Sequence, residues 1–191
     1  MYSTISTNRI INGLSYFSKY KNINIIDVPF VVPDHINRLT CPDWVQLVHH
    51  SEGMSYVGSA EQSFLYLHEL NKLDRNELCY MAITPCIRDE AQDETHFKSF
   101  LKCELFSYDE NEYKDFMLYA TSFFSQYMDV VIEKTLDGFD IIGHKSGIEL
   151  GSYGKRTVCI KDKLITYSYG TAFAEPRLSY VIQKEKTIIR V

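Results

Sequence analysis

Pro85-Cys86-Ile87-Arg88-Asp89-Glu90-Ala91, followed after a polar interval by Phe100-Leu101-Lys102-Cys103-Glu104, is the stretch on which the reading of this chain turns. The run from Glu77 to Arg88 is apolar and β-leaning, and the same character resumes from His96 to Phe106. Two such runs joined by the charged loop Asp89 to Thr95 predict an antiparallel pair of strands. Side chains alternate between the faces of a strand, so Arg88 and Glu90 share one face. A guanidinium there can fork onto a phosphate, and a carboxylate can accept from an amine. Phe97 and Phe100, just past the loop, offer ring faces on which a flat base can stack.

Downstream, the small-residue run Gly170-Thr171-Ala172-Phe173-Ala174 leads through Glu175-Pro176 to Arg177. Small residues let the backbone approach a ligand, proline favours a first helical turn, and a helix N-terminus favours negative charge. Upstream, Ile10, Ile11, Leu14, Phe17 and Tyr20 recur at helical spacing and predict an amphipathic helix over Ser6 to Tyr20. The β-branched run Ile23 to Val32 is interrupted by Pro29, which implies an edge strand, a bulge or contact with another chain. Asp34 to Leu39 reads as a turn, Trp44 to His49 and Met54 to Val57 as short strands, and Ala60 to Leu70 as a helix. Phe116, Tyr119, Ala120, Phe123, Tyr127, Val130 and Val131 extend a helical pattern over Glu112 to Lys134. Strands follow at Phe139 to Ile142, Gly147 to Gly151, Thr157 to Ile160 and Leu164 to Tyr169, then a last helix. The order predicts an α+β domain with a mainly antiparallel sheet flanked by helices.

At 191 residues the chain fits a single domain with a real core, and no repeat or Pro/Gly-rich linker divides it. A net charge of −5 with scattered Lys and Arg disfavours a general nucleic-acid binder. Cys41, Cys79, Cys86, Cys103 and Cys159 are odd in number and form no CxxC pair, which argues against a disulfide framework or a zinc ribbon. The histidines show no ligand spacing. The N-terminus lacks a signal-peptide pattern and no apolar run approaches bilayer length, so the expectation is a cytoplasmic protein without a membrane partner.

Taken in order, these landmarks resemble the three motifs of class II aminoacyl-tRNA synthetases. The helix before Asn22 and Asn24-Ile25-Ile26-Asp27-Val28-Pro29 resemble the first, a helix running into a strand that ends in proline. The stretch from Pro85 to Glu104 resembles the second, and Gly170 to Arg177 the third. The seryl-tRNA synthetase branch is the most similar. Pro85-Cys86-x-Arg88-x-Glu90-Ala91, Ser59-Ala60-Glu61, Phe139-Asp140-Ile141 and Glu149-Leu150-Gly151-Ser152 resemble runs of that branch. The likeness spans roughly Ile10 to Ile182 and implies the fold shared by these synthetases and biotin ligases, with residues 1–191 as one catalytic domain.

The resemblance also implies roles. Arg88 would contact the ATP α-phosphate and the activated carboxylate, and Arg177 the γ-phosphate. Glu90 and Phe100 would hold adenine, with Glu104 assisting at the nucleotide. Glu149 with Ser152 would bind Mg²⁺, and Ser59 and Glu61 would meet a small amino acid. The implied reaction is formation of an aminoacyl-adenylate, and the implied assembly is a homodimer through the helix and the strand ending at Pro29. Zinc held by Cys86 or Cys103 with Glu104 is a weaker implication.

The chain also departs from the family. Ala172 and Ala174 stand where glycines are usual, Pro176 directly precedes Arg177, and these 191 residues are expected to hold neither an anticodon-binding domain nor a coiled-coil arm. Three functions stay open. The first is an adenylate-forming ligase whose acceptor is a carrier protein, another protein or a small molecule. The second is an inactive paralogue acting as a binding or regulatory subunit, and the third a minimal tRNA-aminoacylating enzyme, which the acidic charge disfavours.

Overall fold

The computed structural model describes residues 4–21, 23–89 and 97–188; Glu90 and the rest of the 90–96 segment lie outside the described residues. Helix α1 (Thr7–Phe17) starts at Ser6, whose side chain accepts from the Arg9 N–H, and lays an apolar stripe against the core. Strand β1 (Ile23–Ile25) follows and β2 (Val31–Pro33) comes after a break around Pro29, so the β-branched run is two short strands. The expected turn at Asp34 is a short helix, α2 (Asp34–Asn37). A small antiparallel sheet joins β2 to β4 (Met54–Tyr56) and β4 to β3 (His49–Ser51); the run before His49 is loop. Helix α3 (Ala60–Glu69) leads to β5 (Cys79–Ile87) and β6 (Ser99–Ser107).

β5 and β6 pair antiparallel from Tyr80↔Phe106 to Ile87↔Ser99, as the alternating apolar runs predict. Helix α4 (Glu112–Phe124) is shorter than its periodicity suggests. The pattern breaks after Phe124, and Val130, Val131 and Ile132 fall in strand β7 (Val130–Lys134), where three adjacent β-branched residues fit a pleated surface better than a helical one. β8 (Gly138–Gly143) precedes β9 (Glu149–Ile160), one continuous strand where two were expected. β10 (Lys163–Glu175) absorbs the small-residue run, and α5 (Arg177–Ile188) closes the described chain.

The large sheet has the order β1-β5-β6-β10-β9-β8-β7, and of its pairings only β1 with β5 is parallel. One face carries Met81, Cys103, Leu105 and Tyr153 against Phe17, Phe116, Phe123 and Val181 of α1, α4 and α5. α1 comes so close to β10 that a Cβ at Gly13 would stand 2.4 Å from the Phe173 ring. The opposite face carries Tyr80, Phe106, Val158 and Tyr167 under Phe64 and Leu65 of α3, with Val32 and Ile36 from the small-sheet region. Even-numbered residues of β6, and of β9 from Ser152 onward, point to this second side; at the register shift of the β8–β9 ladder the parity reverses, so Leu150 joins the helix-side core and Glu149 reaches the cavity.

Candidate functional site

A cavity of about 280 Å³ opens on the second face, with the 40–48 loop as one of its walls. Arg88, Lys102, Glu104, Glu149, Ser152 and Arg156 line it together with the head of α3. Four separate elements thus deliver charge to one space.

At the head of α3, Ser59 Oγ accepts from the Glu61 N–H at 3.3 Å while Gln62 Oε1 accepts from the Ser59 N–H at 3.2 Å, a capping box. Glu104 sits beneath this turn, buried. It accepts from Ser59 Oγ at 2.6 Å, from the Glu61 N–H at 3.0 Å and from Lys102 Nζ at 2.7 Å. Burial alone would push its carboxyl up. Lys102, Ser59 and the backbone donor outweigh that and hold it below the ordinary carboxylate range. Glu104 is therefore an ionised anchor for the helix N-terminus as well as a wall of the cavity.

Glu61 points the other way, toward β9 and β10. Arg156 Nη1 donates to both of its carboxylate oxygens, at 2.7 and 2.8 Å, and Tyr167 Oη donates to Oε1 at 2.6 Å. Burial raises the Glu61 carboxyl, Arg156 draws it back, and the neighbouring charge of Glu104 raises it again. The Arg156 guanidinium also lies 5.0 Å from the centroid of the Tyr169 ring. A carboxylate has about four acceptor sites, so these three contacts leave room at Oε2 for one further donor such as an amino group.

Arg88 follows the end of β5. Its Nε donates to the Gly58 carbonyl at 2.9 Å, and its guanidinium lies 5.2 Å from the Phe100 ring centroid. Phe100 thus supports Arg88 and packs at the margin of the second core. On the far side, Arg177 at the start of α5 donates from Nη1 to Glu149 Oε1 at 3.4 Å. Ser152, three residues after Glu149, stands opposite Asp140 of β8. Ala172 packs into the helix-side core, so the methyl that replaces a glycine hydrogen there is directed away from the cavity.

No group of three or more His, Cys, Asp or Glu able to hold a metal occurs among the described residues. Mg²⁺ does not need one, since it is commonly held by one or two carboxylates with substrate phosphates and water, and the exposed Glu149 carboxylate on the cavity wall fits that demand. Zinc fits poorly. Cys86 is buried and its thiol is pushed up to about 12, first by burial and then by Glu104. Cys103 faces the opposite core, and Glu104 is already satisfied.

Of the expected site residues, Arg88, Ser59, Glu61, Glu104, Glu149 and Ser152 border one cavity, and Arg177 joins them through Glu149. Arg156, Tyr167, Lys102 and Asn37 were not singled out by the sequence reading. Period-two counting from Ser152 along β9 reaches Arg156, and Tyr167 is its direct partner across the ladder, so the first two carried a usable signal. Asn37 comes from a separate short helix, and nothing in the local sequence points it toward the cavity.

No family model matches the chain, and no curated protein matches it by sequence. Solved structures match it by fold. Pyrrolysyl-tRNA synthetase from Desulfitobacterium hafniense superposes over 95% of this chain and 71% of its own, with a TM-score of 0.70 and 14% identity. Seryl-tRNA synthetase from Pyrococcus horikoshii, solved in complex with ATP, matches over 93% of this chain and 50% of its own, with a TM-score of 0.71 and 15% identity. The cytoplasmic serine-tRNA ligase of Naegleria fowleri, in complex with AMP, covers 93% and 47% respectively at a TM-score of 0.66 and 15% identity. The chain therefore has the fold of class II aminoacyl-tRNA synthetase catalytic cores.

Proposed function

We propose that this chain activates a small amino acid with ATP, releasing pyrophosphate and forming an aminoacyl-adenylate. The observation that carries the reading is the convergence of Arg88, the Ser59–Glu61 turn and Glu149 on one cavity, in a fold whose solved neighbours include ATP and AMP complexes. In the step itself, an oxygen of the amino-acid carboxylate attacks the α-phosphorus. The bond from that phosphorus to the bridging oxygen breaks, and pyrophosphate leaves with the electron pair.

Such an in-line transfer needs positioning and charge stabilisation rather than a nucleophilic side chain. Arg88, braced by the Gly58 carbonyl and the Phe100 ring, would neutralise charge building on the α-phosphate. Arg177 would swing from Glu149 to the γ-phosphate, and Glu149 with Ser152 would hold Mg²⁺, whose chemistry is to neutralise the phosphates. The open acceptor site on Glu61 Oε2, beside Ser59, would receive the amino group. Phe100 and Glu104 would border the nucleotide, with Glu90 as the adenine contact. A net charge of −5 without a basic cluster supports a carrier protein, another protein or a small molecule as acceptor rather than tRNA.

ATP–pyrophosphate exchange across the amino acids tests the reading. Exchange should depend on an amino acid and fall on the order of 10²–10³-fold in Arg88→Ala, the scale for removing one donor to a developing anion. A second reading, a non-catalytic binding or regulatory subunit, is favoured by the Arg177–Glu149 pair, in which the two groups meant for phosphate and metal close on each other. Amino-acid binding without exchange would select it.

We also propose a homodimer across the edge at β1. Ile25 and Phe30 flank Pro29 and are about half exposed, at 52% and 47%. Sedimentation equilibrium would reveal a monomer if this is wrong.

A further inference from the structure

Arg9, Gly13 and Phe17 recur every four positions on one face of α1, and that face lies along the last part of β10. Phe17 and Gly13 meet the Phe173 ring, and Arg9 meets Glu175, two residues further along the strand. Glu175 is the last residue of β10, Pro176 follows, and Arg177 opens α5. The Glu175 side chain is wholly buried. Arg9 Nε donates to its Oε1 at 3.1 Å and to Ser179 Oγ at 3.0 Å, and Arg9 Nη2 donates to Ser179 Oγ at 2.7 Å. The Ser179 hydroxyl in turn donates to Glu175 Oε2. Three side chains thus close a ring that joins α1, the end of β10 and the first turn of α5.

As a source of stability this ring is an uneconomical choice, because a buried ion pair is often no better than apolar residues of the same volume. What it adds is direction. A guanidinium fork holds its partners at fixed angles, and here the partners are residues 175 and 179, which flank Arg177 on both sides. The Arg177 side chain makes only a long contact, 3.4 Å, to a Glu149 carboxylate that is 46% exposed. Its approach to the cavity wall is therefore set by the backbone from which it springs. Arg9 does not line the cavity, so any influence it has there passes through that backbone.

We infer that Arg9 is a positioning residue for phosphate recognition: through Glu175 and Ser179 it fixes the start of α5 so that Arg177 is aimed at the terminal phosphate of ATP. This rests on the reading of Arg177 as the γ-phosphate contact, and it asks nothing of the chemical step. The preference for ATP over AMP, which lacks that phosphate, then depends on a residue outside the cavity.

The test measures the dissociation constants of ATP and of AMP, each with Mg²⁺, by calorimetric titration of the intact chain, beside ATP–pyrophosphate exchange and the melting temperature of each variant. Arg9→Lys keeps a cation for Glu175 but loses the fork. Arg9→Met combined with Glu175→Gln removes both charges, so no buried carboxylate is left unpaired. The double variant should melt near the parent's temperature and yet lose about tenfold in affinity for ATP, with AMP unchanged, the low end for one hydrogen bond to a charged group. Arg9→Lys should lose less. In an Arg177→Ala background the same substitutions should change neither affinity, because residues that act through one another do not add.

ATP affinity that falls together with AMP affinity, or falls further in the Arg177→Ala background, makes Arg9 a structural brace alone and overturns the inference. Amino-acid-dependent exchange with an unchanged preference for ATP in the double variant overturns it too, and leaves adenylate formation standing. Loss of that preference, in a chain whose parent binds ATP without exchange, supports the inference and overturns the adenylate reading instead. A parent that binds ATP no better than AMP overturns the inference whatever exchange shows.

Discussion

Glu104 and Glu61 stand on either side of the first turn of α3, and their surroundings drive them in opposite directions. Glu104 is held below the ordinary carboxylate range despite burial, because Lys102, Ser59 and a backbone N–H favour the charged form. Its folded pKa lies below its unfolded value of about 4.3, so the stability it contributes is present above that pH and is lost as pH falls through the folded pKa. Glu104→Gln should therefore flatten the acid limb of stability against pH below about 4.3, measured by urea unfolding at stepped pH. An unchanged acid limb would mean that the carboxylate is not the ionised anchor described above. Arg156→Met leaves the Glu61 carboxyl largely enclosed without the cation that draws it down, at a cost of about 3 kcal/mol; with Arg156 part-exposed, this is the low end for breaking a buried pair. Adding Glu61→Gln should recover much of it in the same unfolding experiment. Arg88 was legible as a residue of the cavity wall because its place at the end of an apolar, β-leaning run is written locally. Asn37 was not, because the carbonyls its amide holds belong to β4 and meet it only in the fold.

Among the elements, β5, β6 and α3 follow directly from residue patterns: alternating apolar runs around a charged loop, and a serine cap with Gln62 at the third helical position. Legibility fails where a pattern of one period runs into another. Tyr127, Val130 and Val131 continue the numerical rhythm of α4, and only tertiary pairing with β8 shows that Val130 to Lys134 has become a strand. The third motif reads as a small-residue approach to a ligand. A register shift between Thr171 and Phe173 instead commits Ala172 and Phe173 to the helix-side core. That core sets the position of α1, whose Gly13 has no room for a methyl beside the Phe173 ring. Gly13→Ala would gain helix propensity of about 1 kcal/mol in an open helix, yet here overpacking of about 1–3 kcal/mol opposes it. A net fall in melting temperature is expected. A rise would show that α1 moves off β10 without penalty.

At the scale of the molecule, the sequence carried the α+β class, the antiparallel character and the order of the motifs, because each is written in local periodicity. It did not carry the division of labour between the two faces of the large sheet, which arises when strands far apart in the chain come into register, as in Thr171↔Glu104. The helix-side face is packed with aromatic rings, among them Phe17, Phe116, Phe123 and Phe173. The cavity-side face holds the neutralised pairs Arg156–Glu61 and Lys102–Glu104, with Arg88 reaching in from the end of β5. A ligand that binds only the folded state stabilises the whole chain by RT ln(1 + [L]/Kd), about 2.7 kcal/mol at a hundredfold excess over Kd. ATP with Mg²⁺ should therefore raise the melting temperature, and the rise should grow with the logarithm of concentration once ATP exceeds Kd. Arg88→Ala should lose most of that rise while its melting temperature without nucleotide stays close to the parent's, since Arg88 lies past the strand end and is only part-buried. If the ATP-dependent rise persists in Arg88→Ala, the nucleotide is held elsewhere, and the face that carries Arg88 is not where phosphate is read.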